Sequence, residues 1–407
     1  MDGGSVSGND WTDDRLTRAA LGALLKYGAM EVLGLAAKLG PQEAWRLLRG
    51  GGQDIESELQ PVLPGAREQC PPGTRGPAFA AWAASVIPDE VAQQTDKAGL
   101  RFVVPGDGEW PVALGDLARP DIDQLGGVPV GLWVAGPGHL ARWCRQAVAL
   151  VGSRASTRYG EAVAFNLASE MVQGKDAWTV VSGGAYGIDA ASHRGALALD
   201  GRTVGLFANG LDLYYPPGNA GLIQMIKASG LIVSELPPGS NPTKHGFLAR
   251  NRLIAALSSG SVVVEAAARS GARNTASWAA GTGRVVMAVP GPVTSAMSVT
   301  THRLIRDGQA TLVSSADDIR ALLAPFGQSP ELPTNGPPRW QDELSGDQAV
   351  VREALPGRGG LTISEVALAS GVTVPRCIDA LRKLAELGVA AVNEQGRWRA
   401  CRPVNSE

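Results

Sequence analysis

Ala147-Val148-Ala149-Leu150-Val151-Gly152-Ser153-Arg154 and Trp178-Thr179-Val180-Val181-Ser182-Gly183-Gly184-Ala185-Tyr186-Gly187-Ile188-Asp189 are the stretches on which the fold turns. Each is a short apolar run with β-branched content that stops at Gly and Ser. Each then passes into an amphipathic stretch, over 160–172 and 188–199. That composition and length fit buried strands. The rhythm repeats at 203–207, 231–233, 262–264 and 285–289, with helical stretches between. Alternating short strands and helices predict an α/β fold on a doubly wound parallel sheet, whose ligands sit outside the carboxyl ends of the strands. Those ends carry Gly, Ser and Arg.

Outward from this middle third the pattern changes. Toward the N-terminus, Leu21, Leu24, Leu25, Leu33 and Leu35 recur near helical spacing, and Pro41-Gln42-Glu43 opens a second helix. Residues 50–76, rich in Gly and Pro, read as a loop, and short strands follow at 100–104 and 130–135. Toward the C-terminus, 325–338 holds five prolines and reads as an extended spacer. Beyond it, 346–355, 362–369 and 375–387 read as helices, and 389–392 with 397–400 as a hairpin, an order that resembles a winged helix. The expected division is an N-terminal helical region with short strands at 1–138, a sheet domain at 139–324, a linker at 325–345 and a winged-helix-like domain at 346–403.

The 407 residues, 44 % hydrophobic and 19 % charged, support two or three ordinary globular domains and exclude disordered and fibrous classes. No apolar run approaches the roughly 18 residues of a membrane span. Residues 1–14 are polar and acidic, without the apolar core of a signal peptide. Cys70, Cys144, Cys377 and Cys401 lie far apart with neither CxxC pairs nor ligand spacing. The expectation is a reduced cytoplasmic protein with no membrane partner, no structural metal and no cofactor. Net charge is −2, but the distribution is uneven. Residues 1–138 carry 11 basic and 18 acidic side chains, 139–320 carry 17 and 11, and 321–407 carry 9 and 10. The middle third, at +6 by that count, is therefore the candidate for an anionic ligand.

At two strand ends, Gly152-Ser153-Arg154 and Ser182-Gly183-Gly184 bring main-chain N–H groups and a helix start together, which suits a phosphate. The same glycines equally permit close strand-to-helix packing, and the residues alone leave both readings open. Asp189 is expected to brace the helix start. No GxxxxGK[ST] is present and no GxGxxG follows the first middle strand, which argues against a P-loop or dinucleotide site. Lys244-His245-Gly246-Phe247-Leu248-Ala249-Arg250-Asn251-Arg252 holds three fixed positive charges, one aromatic and no acid. Cations neutralise phosphates and an aromatic face stacks an unpaired base, a combination suited to single strands. The plainer reading has Arg250 and Arg252 paired with Glu235 or Glu265 and Phe247 in the core. Glu265, with no second acid/base group at recognisable spacing, is expected to brace the arginines rather than act as a base.

In this order the pieces resemble the DNA-processing protein A family (DprA/Smf) from about 147 to 313. The resemblance is carried by Val151-Gly152-Ser153-Arg154, Ser182 to Asp189, Tyr215-Pro216-Pro217-Gly218-Asn219, Ser234-Glu235-Leu236-Pro237-Pro238-Gly239, 247–257, 263–268 with Ser270-Gly271, and Ala288-Val289-Pro290-Gly291. It implies an extended Rossmann-like domain that binds single-stranded DNA, forms a homodimer and loads RecA, protecting incoming strands during DNA uptake and natural transformation. Matching positions put Arg154, Lys244 and Arg250 on phosphates, Phe247 against a base, and main-chain donors at Ser182, Gly183 and Gly184. The implied DNA-binding set also includes Gly152, Ser153, Asn251, Arg252, Ser270 and Gly271, and the dimer surface points to His302 and Ile305. This chain departs from the family at Val299-Thr300-Thr301, where a Gly is usual, and at Ser270-Gly271-Ala272-Arg273, which adds a charge. Its N-terminal region, reading as a degenerate SAM or helix-hairpin-helix segment, lacks the Gly-x-Gly hairpin.

Three functions compete at this point. The first is a non-enzymatic single-strand binder and recombination mediator. The second is a Rossmann enzyme or sensor for a nucleotide-derived small molecule, with Glu265 as base; the Pro-Gly-Gly-x-Gly-Thr loop of nucleotide glycosidases is absent. The third is a winged-helix regulator that grips duplex DNA through Arg376, Arg382, Lys383, Arg397 and Arg399.

Overall fold

The computed structural model describes residues 9–50, 75–174, 176–324, 340 and 344–401. Most of the loop expected at 50–76 and of the linker expected at 325–345 falls outside those residues. The chain divides into two compact units, 1–330 and 331–407.

The larger unit is built on one nine-stranded sheet. Its strands are β1 (Arg101–Val103), β2 (Leu132–Ala135), β3 (Ala147–Val151), β4 (Thr179–Ser182), β5 (Thr203–Phe207), β6 (Leu231–Ser234), β7 (Gly260–Val263), β8 (Val285–Ala288) and β9 (Thr311–Leu312). The spatial order is β1-β2-β6-β5-β4-β3-β7-β8-β9. From β6 to β9 all neighbours are parallel, as expected, while β1 and β2 add an antiparallel edge beside β6. Successive strand residues point to opposite faces, and both faces are covered. Ala147, Ala149 and Val151 join one core with Leu21, Leu33, Trp133 and Leu253, whereas Val148 and Leu150 join the other with Leu167, Met171 and Ile188.

This arrangement corrects the boundary expected at 138. Strands β1 and β2 belong to the same sheet as the middle third, with Trp133 in register with Ser234 and Val134 with Val233. Trp133 is fully buried, its indole N–H donates to Thr95 Oγ1 at 2.9 Å, and its ring lies 4.5 Å from that of Phe102. The N-terminal helices Asp13–Leu24 and Glu31–Leu39 bury Leu21, Leu24, Leu33 and Leu35 in the shared core. They therefore cover a face of the common sheet. Helices Arg75–Ala84 and Pro88–Lys97, which sequence periodicity does not reveal, complete that layer.

The smaller unit holds helices Gly346–Ala354, Ile363–Ser370 and Val374–Glu386 and a hairpin of β10 (Ala390–Val392) with β11 (Trp398–Ala400), within a residue or two of expectation. Its core gathers Val351, Val366, Leu381 and Leu384. Two of its five candidate duplex contacts are engaged internally. Arg376 makes a two-pronged pair with Asp347, both hydrogen bonds at 2.7 Å, and Arg397 donates to Gly360 O at 2.9 Å with Glu365 3.8 Å away.

Because Trp133 ties three elements to one core, Trp133→Ala should destabilise the larger unit by about 3–5 kcal/mol. Urea unfolding followed by circular dichroism should show the N-terminal helices and the sheet lost in one transition. A first transition that leaves the parallel sheet intact would restore the boundary at 138.

Candidate nucleic-acid interface

Strand order reverses at β3, which has β4 on one side and β7 on the other. The loops after β3 and β7 leave the sheet in opposite directions, and such a switch point opens a crevice at the carboxyl ends. A cleft of about 600 Å³ lies there, lined by Gly152, Ser153, Arg154, Lys244, Phe247, Arg250, Asn251, Arg269, Ser270 and Gly271. Nine of the thirteen DNA-contact residues read from the sequence are thus brought to one place.

The loop after β3 is pinned at both ends. Ser153 N–H donates to Glu265 O at 2.7 Å. The buried Glu265 carboxylate accepts from Thr157 N–H at 2.8 Å and from Thr157 Oγ1 at 2.6 Å, and Thr157 caps helix Arg158–Met171. Glu265 is a brace, but for Thr157 rather than for an arginine. The β4 loop meets the β3 loop backbone to backbone: Gly187 has φ 74°, and a Cβ there would fall 2.4 Å from Ser153 O. Between these anchors Arg154 stands exposed.

Helix Lys244–Ala256 supplies the opposite wall. Arg250 points from it into the protein, donating to Gly183 O at 2.8 Å and also to Leu206 O. Asp189 accepts from Gly183 N–H at 3.1 Å, so it holds the loop after β4, while helix Ile188–Leu197 itself has no side-chain cap. A Cβ on Gly183 would lie 2.6–2.7 Å from the Arg250 guanidinium and the Asp189 carboxylate, so only glycine admits both. Burial raises the Asp189 carboxyl above its usual range, against the pull of Arg250 and the amides of Ala185 and Gly183. Burial likewise lowers the Arg250 guanidinium to about 10.

Four expected contacts are corrected. Ser182 is buried in β4 with its hydroxyl donated to Leu150 O at 2.7 Å. The Gly183 N–H is spent on Asp189, and Gly184 is buried against Phe207, so no phosphate cradle of free amides forms at 182–184. Arg252 is fully buried, 2.6 Å from Glu235. At about 100° per residue, positions 250 and 252 point roughly 200° apart and cannot share one cleft. The cations left at the cleft without a hydrogen bond or ion pair among the described residues are Arg154, Lys244 and Arg269. Arg269 was not among the expected contacts, although its place just after a strand end signals it. Asn251, mostly buried, donates to Asn274 Oδ1 at 3.3 Å.

The half-buried Phe247 carries the Arg154 guanidinium 4.5 Å above its ring, with the Tyr215 ring 5.9 Å away. His302 and Ile305 lie half-buried on helix Val299–Arg306 and do not line the cleft; His302 Nε2 is 3.0 Å from Gly291 O. Among the described residues no group of three or more metal-ligating side chains is present, and no helix is long and apolar enough to cross a membrane.

Two predictions follow from this packing. Gly183→Ala should cost about 1–3 kcal/mol in thermal unfolding, the usual penalty for forcing a methyl into a filled space. His193, on helix Ile188–Leu197, is fully buried with Nδ1 2.7 Å from Thr203 Oγ1. Burial first, and the Arg250 charge second, hold its pKa down to about 3. The unfolded chain protonates this ring near pH 6.5 and the folded chain does not. Its stabilising contribution is therefore intact above about pH 6.5 and lost as pH falls toward 3. Urea titrations from about pH 7.5 to 4.5 should show falling stability, with a shallower fall in His193→Gln.

Comparison with known proteins identifies the family. The family model for DNA recombination-mediator protein A matches residues 101–324. A DprA-type DNA processing protein of Mycobacterium tuberculosis is 46 % identical over 312 residues, 75 % of this chain and 78 % of that one. The DNA processing protein DprA of Streptococcus pneumoniae is 40 % identical over 205 residues, 49 % of this chain and 69 % of that one. An X-ray structure of DprA from Streptococcus pneumoniae aligns with a TM-score of 0.60 at 30 % identity, covering 76 % of this chain and 98 % of that one. The chain belongs to the DNA recombination-mediator protein A family, the DprA/Smf proteins.

Proposed function

We propose that the cleft grips single-stranded DNA without cleaving it, and that the chain, as a cytoplasmic homodimer, protects the strand and passes it to RecA, as in DNA uptake and natural transformation. The observation that carries this reading is the gathering of Arg154, Lys244 and Arg269, none of which makes a salt bridge among the described residues, around one cleft beside an aromatic ring. Phosphate neutralisation by such cations supplies affinity with little sequence preference. Bases stacked inside a duplex offer no free face to an aromatic, so an aromatic-lined groove favours unpaired strands. Two clefts on one strand in a dimer would raise the effective concentration of the second contact.

Two side chains argue for binding rather than hydrolysis. Both carboxylate oxygens of Glu265 are held by Thr157, and Asp189 lies buried beside Arg250 on main-chain amides. Glu265 does not line the cleft, and Asp189, which does, is tied to Gly183 N–H beside the Arg250 charge, which weakens the nucleotide-hydrolase alternative. The winged-helix alternative is weakened by the internal pairing of Arg376 and Arg397.

Single-stranded and duplex oligonucleotides of equal length, titrated against salt by fluorescence anisotropy, test the reading. The single strand should bind more tightly. Lys244→Ala and Arg269→Ala should each weaken it across sequences and flatten the salt slope by about 1. Equal affinity for duplex, or unchanged affinity in both variants, would overturn the assignment.

A further inference from the structure

The loop at 119–127 lies along helix Ala272–Gly281, whose first turn borders the cleft. Pro120 and Ile122 stand 3.2 and 3.6 Å from where a Cβ on Gly281 would fall. Two turns earlier on the same helix face, Asn274 Nδ2 donates to Asp123 Oδ2 at 3.1 Å. Asp123 and Gln124 both hold left-handed backbone, at φ 56° and 60°, which costs a non-glycine residue energy and which Asp tolerates better than most. The turn is closed by Leu125 N–H on Ile122 O and by Gly126 N–H on Asp121 Oδ1, both at 3.1 Å.

The bond to Asp123 begins a relay. Asn274 Oδ1 accepts from Asn251 Nδ2 at 3.3 Å, and Asn251 Oδ1 accepts from Arg250 Nε at 3.4 Å. Asn274, Asn251 and Arg250 line the cleft, and Asp123 does not. A carboxamide can turn over and exchange its donor and acceptor ends with no change of shape. A carboxylate only accepts and a guanidinium only donates, so a relay with these two ends permits one orientation of both carboxamides. The second Nδ2 hydrogen of Asn274 then has no partner among the described residues and is left for a ligand.

We propose that Asp123 is a positioning residue for the bound strand. It fixes the orientation of the Asn274 and Asn251 carboxamides, and with it the neutral hydrogen-bonding groups that the cleft offers beside its cations. The inference rests on the single-strand reading and deepens it. A carboxylate near a site for a polyanion also works against binding through its charge, so the two effects of Asp123 differ in sign and can be separated.

Asp123→Gly removes the side chain without straining a left-handed position, Asp123→Asn keeps an acceptor and drops the charge, and Asn274→Ala removes the group acted upon. Each is titrated against salt with an oligothymidylate by fluorescence anisotropy, and thermal unfolding controls for folding. Asp123→Gly should weaken binding about five-fold, the size of one neutral hydrogen bond, with an unchanged salt slope because no cation is lost. Asp123→Asn should stay within about two-fold of wild type. Asn274→Ala should weaken binding to a similar extent as Asp123→Gly, and combining the two should bring no further loss. Tighter binding in both Asp123 variants would make the carboxylate a repelling charge only and overturn the positioning role. Additive losses in the double variant, or an unaltered affinity in Asp123→Gly, would overturn it as well. Each of these results leaves the single-strand reading standing if Lys244→Ala still weakens binding. Failure of that reading shows instead as a wild-type chain without preference for single strands.

Discussion

A buried arginine holds the site together. Arg250 reaches from helix Lys244–Ala256 to the carbonyls of Gly183 and Leu206, at the carboxyl ends of β4 and β5, with Asp189 beside it. A guanidinium removed from water is costly unless hydrogen bonds and a counter-charge replace the solvent. Here both do, and their directions lock a helix, two strand ends and a helix start in one geometry. Gly183 is the joint of this lock, since any side chain would occupy the space of the two charged groups.

The lock also sorts the charges of the middle third. Arg250 and Arg252 are consumed inside the protein, one by carbonyls and Asp189, the other by Glu235. Arg154, Lys244 and Arg269 remain outside, around a cleft at the reversal of strand order. The net +6 of this segment therefore overstates the cations offered to a ligand, yet those that remain converge. The stiffness of the surrounding loops, fixed by the Glu265–Thr157 and Asn219–Gly184 bonds, keeps them convergent.

Much of this was legible in the residues. The recurring apolar strand, Gly/Ser stop and amphipathic helix marked six of the seven parallel strands, all but Thr311–Leu312, because buried strands and their turns have local chemical signatures. Helices Arg75–Ala84 and Pro88–Lys97 escaped notice, the first being Ala-rich with little contrast between its faces. Membership of β1 and β2 in the main sheet was invisible as well. A three- or four-residue strand carries no mark of its partner, and the pairing of Trp133 with Ser234 spans about a hundred positions.

The amino-acid sequence alone determined the α/β class, the placing of Gly152-Ser153-Arg154 and Ser270-Gly271 at strand ends, and the family, since each depends on short-range pattern or on motifs in order. Only the tertiary structure decided that Arg252 faces Glu235, that the amide of Gly183 belongs to Asp189, and that Arg154 lies over the ring of Phe247. Those outcomes depend on the rotation of a helix about its axis and on which distant carbonyl or carboxylate lies within about 3 Å of a donor, and a linear pattern does not encode such distances.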